Sequence, residues 1–253
     1  VVVPGVQSKE TFGGYLGADV DFGWRTTPDG SWWMVSDFGA FVRGNTNSDL
    51  ARTDSRESQW GRAALGARRL TSTTLFDLRF KAEIFDYELT QNISAVGPEA
   101  VFLWAVTPSV QLISRGSLDK RTYSQDGGRD GAYYWLGQYL RLFMGERNHE
   151  VLFGGRYLGG VADNGNYSYS GWEGSLGFTF KLPYQFELSP FVSFTQEFYH
   201  GPATVLEGKD RQDDRWRTGA NLVYHINEDW DAELLYQYTN NDSNSPVYDY
   251  DQH

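Results

Sequence analysis

Long stretches of the chain alternate apolar with small or polar residues at a period of two, and this alternation most narrowly limits what the chain can form. In Phe12–Arg25, Phe12, Leu16, Ala18, Val20, Phe22 and Trp24 take the even positions, while Asp19, Asp21 and Arg25 share the odd ones with glycines. Thr74–Leu89 sets Phe76, Leu78, Phe80, Ala82 and Ile84 against Asp77, Arg79, Lys81 and Glu83. The pattern recurs around Trp172–Leu182, Phe186–Glu197, Trp216–Ile226 and Trp230–Tyr238. Successive side chains of a strand point to opposite faces, so each stretch reads as a strand between two different environments. Ala100–Val106 is apolar throughout, Val151–Val161 is rich in glycine on both faces, and Pro190 falls on an apolar face. No helical periodicity of useful length interrupts them. The expectation is an all-β chain.

Connection lengths then select the architecture. Short turns are expected at Thr27–Gly30, Leu70–Thr73, Thr107–Pro108, Glu146–His149, Pro183–Gln185 and Asn227–Asp229. Longer polar loops are expected at Asn45–Ser58, Gln91–Glu99, Ser124–Asp130, Asp163–Ser168, Gly201–Asp210 and Asn240–Val247. Short and long alternate, which an antiparallel up-and-down meander produces when all its tight turns lie at one end. Outer-membrane barrels have this layout. Twelve strands fit between Phe12 and Tyr238. Val1–Val3 would end a preceding strand and Tyr248–His253 would begin a final one. The fold expected is thus a transmembrane β-barrel of about 14 strands in a single domain, 1–253, with both terminal strands clipped.

Strand length and aromatic placement separate this reading from a soluble sandwich or propeller. Soluble strands average about five or six residues, and the periodic runs here reach roughly ten to sixteen. Trp24, Trp32, Tyr184 and Trp230 collect at the short-turn end; Tyr134, Tyr169, Trp172, Trp216 and Tyr238 lie toward the long loops. Two aromatic belts around an aliphatic band mark a membrane interface. A mean hydropathy of −0.52 accords with a wet interior and polar loops. No run of 18 apolar residues offers a transmembrane helix.

A lumen of this kind would be lined by Asp77, Arg79, Lys81, Glu83, Arg115, Asp119, Arg121, Arg141, Glu173, Glu187, Arg215, Arg217, Asp231 and Glu233. Arg79, Lys81, Arg115, Arg215 and Arg217 would form a positive lining. Asp77, Glu83, Asp231 and Glu233 would be its counter-charges, paired across strands. Fourteen strands enclose more space than side chains fill.

Sites for chemistry are sparse. The absence of cysteine excludes disulfides, thiolate metal sites and cysteine nucleophiles. A net charge of −11 argues against nucleic acid. His149 is expected in a tight turn, His200 at a loop edge and His253 at the end of the chain, leaving only His225 to face the lumen. Ser193 and Thr195 have no partner histidine, and Gly127–Gly131 precedes no helix. The acids around Arg211 and Arg215, namely Asp210, Asp213 and Asp214, read as solvated loop charge, as do Asp242, Asp249 and Asp251. The reading is a protein that is not an enzyme, with no cofactor and no metal.

The last third carries a further pattern. Arg211-Gln212-Asp213-Asp214-Arg215 opens a strand, followed by Leu222-Val223-Tyr224, Tyr236-Gln237-Tyr238, Asn241, Ser243-Asn244-Ser245 and Tyr248-Asp249-Tyr250. This succession resembles the C-terminal barrel of the surface lipoprotein assembly modifier family and related barrels fused to periplasmic tetratricopeptide repeats. The resemblance implies a Gram-negative outer-membrane barrel that helps move a secreted or lipid-anchored protein to the cell surface. Its implied partners are outer-membrane lipid, a periplasmic helical-repeat domain or protein, and the translocated protein. A polysaccharide exporter of similar plan, a passive diffusion porin and a soluble carbohydrate-binding protein are the competing readings.

Overall fold

The computed structural model describes residues 13–27, 29–45, 58–87, 91–145, 148–202, 210–227, 231–245 and 250–252. They form one antiparallel sheet in sequence order. Its strands are β1 (Gly13–Arg25), β2 (Trp32–Asn45), β3 (Ser58–Leu70), β4 (Thr74–Tyr87), β5 (Gln91–Thr107), β6 (Val110–Tyr123) and β7 (Gly131–Met144), then β8 (His149–Ala162), β9 (Tyr169–Leu182), β10 (Phe186–Pro202), β11 (Asp210–His225), β12 (Asp231–Ser243) and β13 (Tyr250–Gln252). Twelve of them are 13 to 17 residues long. β13 pairs with β12 at three positions, Thr239 with Gln252, Asn240 with Asp251 and Asn241 with Tyr250. Among the described residues no pairing joins β1 to β12 or β13.

The period-two pattern becomes two faces of unlike character. On β4, Asp77, Lys81 and Glu83 are 5%, 7% and 8% exposed, while Phe80 and Ile84 are each 61% exposed. The charged side is inside and the apolar side outside, the reverse of a soluble protein. Among the described residues no second layer covers the charged face, and its burial comes from the sheet curving on itself. Side chains two strands apart touch there: Arg62 of β3 reaches Glu99 of β5, and Arg79 of β4 reaches Asp37 of β2.

Two prolines fit this sheet because each gives up pairing on one side only. Pro98 of β5 keeps register with Phe80 of β4, but the ladder to β6 skips from Val96–Lys120 to Glu99–Ser117. Pro190 keeps register with Ala220 of β11, while the β9 ladder skips from Leu188–Phe180 to Phe191–Gly177. A residue without an N–H cannot serve both neighbours.

Several sequence expectations are corrected. Gln91–Glu99 is the first half of β5, with Gln91 paired to Tyr87 and Glu99 to Arg79, so the polar residues and Pro98 did not mark a long loop. β10 extends to Pro202 and β12 to Ser243, shortening the adjoining loops. His149 begins β8, paired with Met144 and Phe180. Val1–Val3, Pro4–Glu10 and Trp230 lie outside the described residues.

At the long-loop end, two connections fold against each other. The 3₁₀ turns Gly127–Arg129 and Gly165–Tyr167 adjoin through Asn164 N–H donating to Gly128 O at 2.9 Å and the Arg129 guanidinium lying 4.8 Å from the Tyr167 ring centroid.

Candidate functional site

The inward face of β2–β6 holds one continuous chain of ion pairs. Arg68 donates to Asp77 at 2.7 Å, Asp77 accepts from Arg79 at 2.8 Å, and Arg79 also bonds Asp37. Asp37 accepts from Arg62 at 2.9 Å, and Arg62 continues to Glu83 at 3.3 Å and to Glu99. Glu83 accepts from Lys81 at 2.8 Å, Lys81 lies 3.3 Å from Asp119, and Asp119 lies 3.7 Å from Arg121. Asp37, Asp77, Glu83, Glu99 and Asp119 are balanced one for one by Arg62, Arg68, Arg79, Lys81 and Arg121. Half-buried charges hold their place only when paired in this way. These ten groups together carry no net charge.

β8–β12 carry a second cluster. Arg156 bonds Glu173 at 2.8 Å, and Thr195 donates to the same carboxylate at 3.2 Å. Arg215 bonds Glu197 at 3.3 Å, which also accepts from the Tyr199 hydroxyl at 3.2 Å. Asp213 and Asn241 are each 1% exposed. Asp213 accepts from Arg211 and, at 2.7 Å, from Ser243; Asn241 accepts from Arg215 Nε at 3.2 Å. Ser243 Oγ in turn accepts from Ser245 N–H at 3.1 Å, and Asn244 bonds both Gln212 N–H and Asp210 O. The Arg-x-Asp and Asn-x-Ser-Asn-Ser segments are therefore the two halves of one latch at the outer ends of β11 and β12. Asp213 is not solvated loop charge, as the sequence suggested; its strand turns it inward.

Between the two clusters the inward face is aromatic. Tyr123, Tyr133, Tyr169 and Tyr199 follow one another near the outer end, with ring centroids 6.3, 6.2 and 5.3 Å apart. Arg121 lies 4.6 Å over Tyr133, and Arg211 lies 4.1 Å over Tyr199. Gly160 stands between Tyr133 and Tyr169 in the register, and a Cβ there would crowd both rings. Tyr169 thus belongs to the inner wall, not to a lipid-facing belt; it sits at an odd position of β9, with Glu173. Nothing in composition marks this row. Its signal is the recurrence of tyrosine at inward positions near the long-loop ends.

The remaining lumen candidates are dispersed. Arg141 Nε lies 2.9 Å from a Glu150 carboxylate oxygen, an ion pair without hydrogen-bond geometry. Arg115 makes ring contacts with Trp135 and Tyr139, and no carboxylate partner is present for it or for Arg217 among the described residues. Glu187 and Glu233 sit toward the short-turn ends of β10 and β12, paired in register with Lys181 and Val223. Asp231 pairs in register with His225.

The opposite face defines a band. Trp24, Trp32 and Tyr184 are exposed at the short-turn end, as is Trp104, which the sequence reading did not single out. Tyr184 is 87% exposed and held at φ 62°, a left-handed conformation uncommon for a bulky residue. Trp172 and Trp216 are exposed at the other end. There the outward positions turn polar: Trp172 Nε1 donates to Gln196 at 3.2 Å, and Gln196 donates to Asp214 at 2.9 Å. From Trp172 to Leu182 the strand climbs roughly 33 Å at ~3.3 Å per residue. A tilt of about 40° turns that into about 25 Å along the barrel axis, the height of the apolar band on outer-membrane barrels.

Set beside known families, residues 31–253 match the sequence model of the surface lipoprotein assembly modifiers. The chain belongs to this family. The match takes in β2 through β13 and so reaches well beyond the C-terminal residues that carry the resemblance. No curated protein sequence matches the chain. The family is described by the assembly of surface lipoproteins, and the latch residues Arg211, Asp213, Asn241 and Ser243 lie within the matched segment.

Proposed function

We propose that this chain is the outer-membrane barrel of a Gram-negative surface-assembly system, through whose lumen a lipid-anchored protein is passed to the cell surface. The observation that carries the reading is the family match, joined to a sheet whose long strands are apolar outside and charged within. A periplasmic helical-repeat domain or protein would deliver the substrate. The barrel binds and guides the passing chain and does no covalent chemistry.

The inner surface suits that task. Its ion pairs are internally balanced along β2–β6, which leaves few strong hooks for an unfolded polypeptide, and the glycines and aromatic rings of β7–β9 provide a smooth, half-apolar wall. The test is reconstitution of the purified chain in a planar bilayer. A heat-modifiable, folded species that inserts and opens a water-filled conductance is expected. A folded chain that stays in the aqueous phase without detergent would contradict the reading.

A further inference from the structure

Most inward-facing cations of the described residues have an acid beside them, and Arg115 does not. Its guanidinium lies 4.5 Å from the centroid of Tyr139 and 5.7 Å from that of Trp135. Tyr139 is 4% exposed, and a Cβ at either Gly137 or Gly154 would run into its ring. The ring is thereby clamped against the sheet and forms a fixed bed for the cation above it. Arg115 itself remains exposed to the lumen. Stacking on rings occupies the face of a guanidinium and leaves the N–H fork at its edge free, the geometry that takes a carboxylate by two parallel hydrogen bonds.

A second cation points the same way. Arg217 on β11 has no carboxylate partner among the described residues, and its Nε is buried without a hydrogen-bond partner. Its register neighbours are Ser193 and Thr239, which carry no charge to neutralise it.

We propose that Arg115, bedded on Tyr139 and Trp135, is a carboxylate-binding point in the lumen that engages acidic segments of the passing polypeptide, with Arg217 as a second such point along the path. This rests on the translocation reading above. The ion pairs of β2–β6 cancel, so these two arginines are among the inward cations of the described residues that remain without an acid partner and open to a ligand. A weak, single-residue contact of this kind can hold a segment without trapping it.

The test is fluorescence anisotropy of a labelled glutamate-rich peptide against the full chain in detergent, at low salt, with a glutamine-rich peptide of the same length as control. Each variant is first shown to be folded by its heat-modifiable migration. The glutamate peptide should bind about tenfold more tightly than the control, and Arg115→Gln should remove most of that margin. Arg115→Lys keeps the charge but loses the fork, and should weaken binding by roughly threefold. Equal binding of the two peptides, or unchanged binding by both variants, would overturn the proposal. So would displacement of the peptide by inorganic phosphate at lower concentrations than by free glutamate, because the site would then be a phosphate site. The titration addresses the arginine alone, whereas display of lipoproteins on cells addresses the translocation reading, so the two can fail separately.

Discussion

Lys81 of β4 reaches Asp119 of β6 at 3.3 Å across Gly97 of β5, which pairs in register with Lys81 and lies against the Asp119 backbone. Both ends of the contact are almost fully buried, at 7% and 2% exposure. A side chain at position 97 would stand between the two charged groups. The glycine is therefore what lets the ion-pair chain cross from β4 to β6, and it also sits where β5 and β6 approach so closely that a Cβ would collide with the Leu118 carbonyl.

Gly97→Ala should accordingly be more disruptive than its size suggests. The backbone of β5 must shift away from β6, next to a ladder already interrupted at Pro98. A loss of about 1–3 kcal/mol is expected for such overpacking. Thermal unfolding in detergent, read as the temperature at which the folded band disappears from a gel, measures it; Gly61→Ala, with open space around its Cβ, is the control that should change little.

Arg62→Ala and Arg115→Ala should differ sharply. Removing Arg62 leaves Asp37, Glu83 and Glu99 facing one another with one cation fewer, and a loss of about 2 kcal/mol is expected after allowing for partial solvent screening. Removing Arg115 strands no acid and should leave the unfolding temperature within a few degrees of the parent. Equal destabilisation by the two would contradict the assignment of paired and unpaired lumen arginines.

Asp213→Ala tests the latch. It deprives Arg211 and Ser243 of their shared acceptor inside a site with 1% exposure. The expected result is faster proteolytic nicking at the outer ends of β11 and β12, with the strands near the short turns still protected. Asp214→Ala, on the outward face, should not produce it.

The short turn before β2 has a pH signature. Hydrogen bonds from Thr27 and Ser31 hold the Asp29 carboxyl down at about 2, below its ordinary value. A depressed carboxylate adds stability above its unfolded value and loses it as the pH falls through the folded one. The turn should therefore stay tied from neutral pH down to about 4 and loosen progressively toward 2. An NMR titration of the Asp29 carboxyl carbon with a midpoint near 4 would show that the hydrogen bonds are absent in solution.

Which parts of this were legible in the sequence follows from what a period of two encodes. Alternation in Thr74–Leu89 and Phe186–Glu197 assigns faces directly, so the inward positions of Asp77, Arg79, Lys81, Glu83 and Glu187 could be read off. It says nothing of contacts two strands away. The Asp37–Arg79 and Arg62–Glu99 pairs need the register and curvature of three strands, and Glu99 was hidden further because Gly97-Pro98 looks like a loop. Tyr169 reads as a belt residue in the sequence because it is an aromatic near a strand end, and only its parity with Glu173 turns it inward. The latch shows the reverse case. Its residues stood out as a motif spread over more than thirty positions, and only antiparallel pairing of β11 with β12 explains why they occur together.

The most direct test of the central claim is protease shaving of intact host cells, with and without the gene for this protein, followed by quantification of the released surface lipoproteins. The account predicts that at least one lipid-anchored protein becomes inaccessible from outside when the barrel is removed and regains exposure when it is restored. An unchanged set of exposed lipoproteins in its absence would contradict a role in surface assembly.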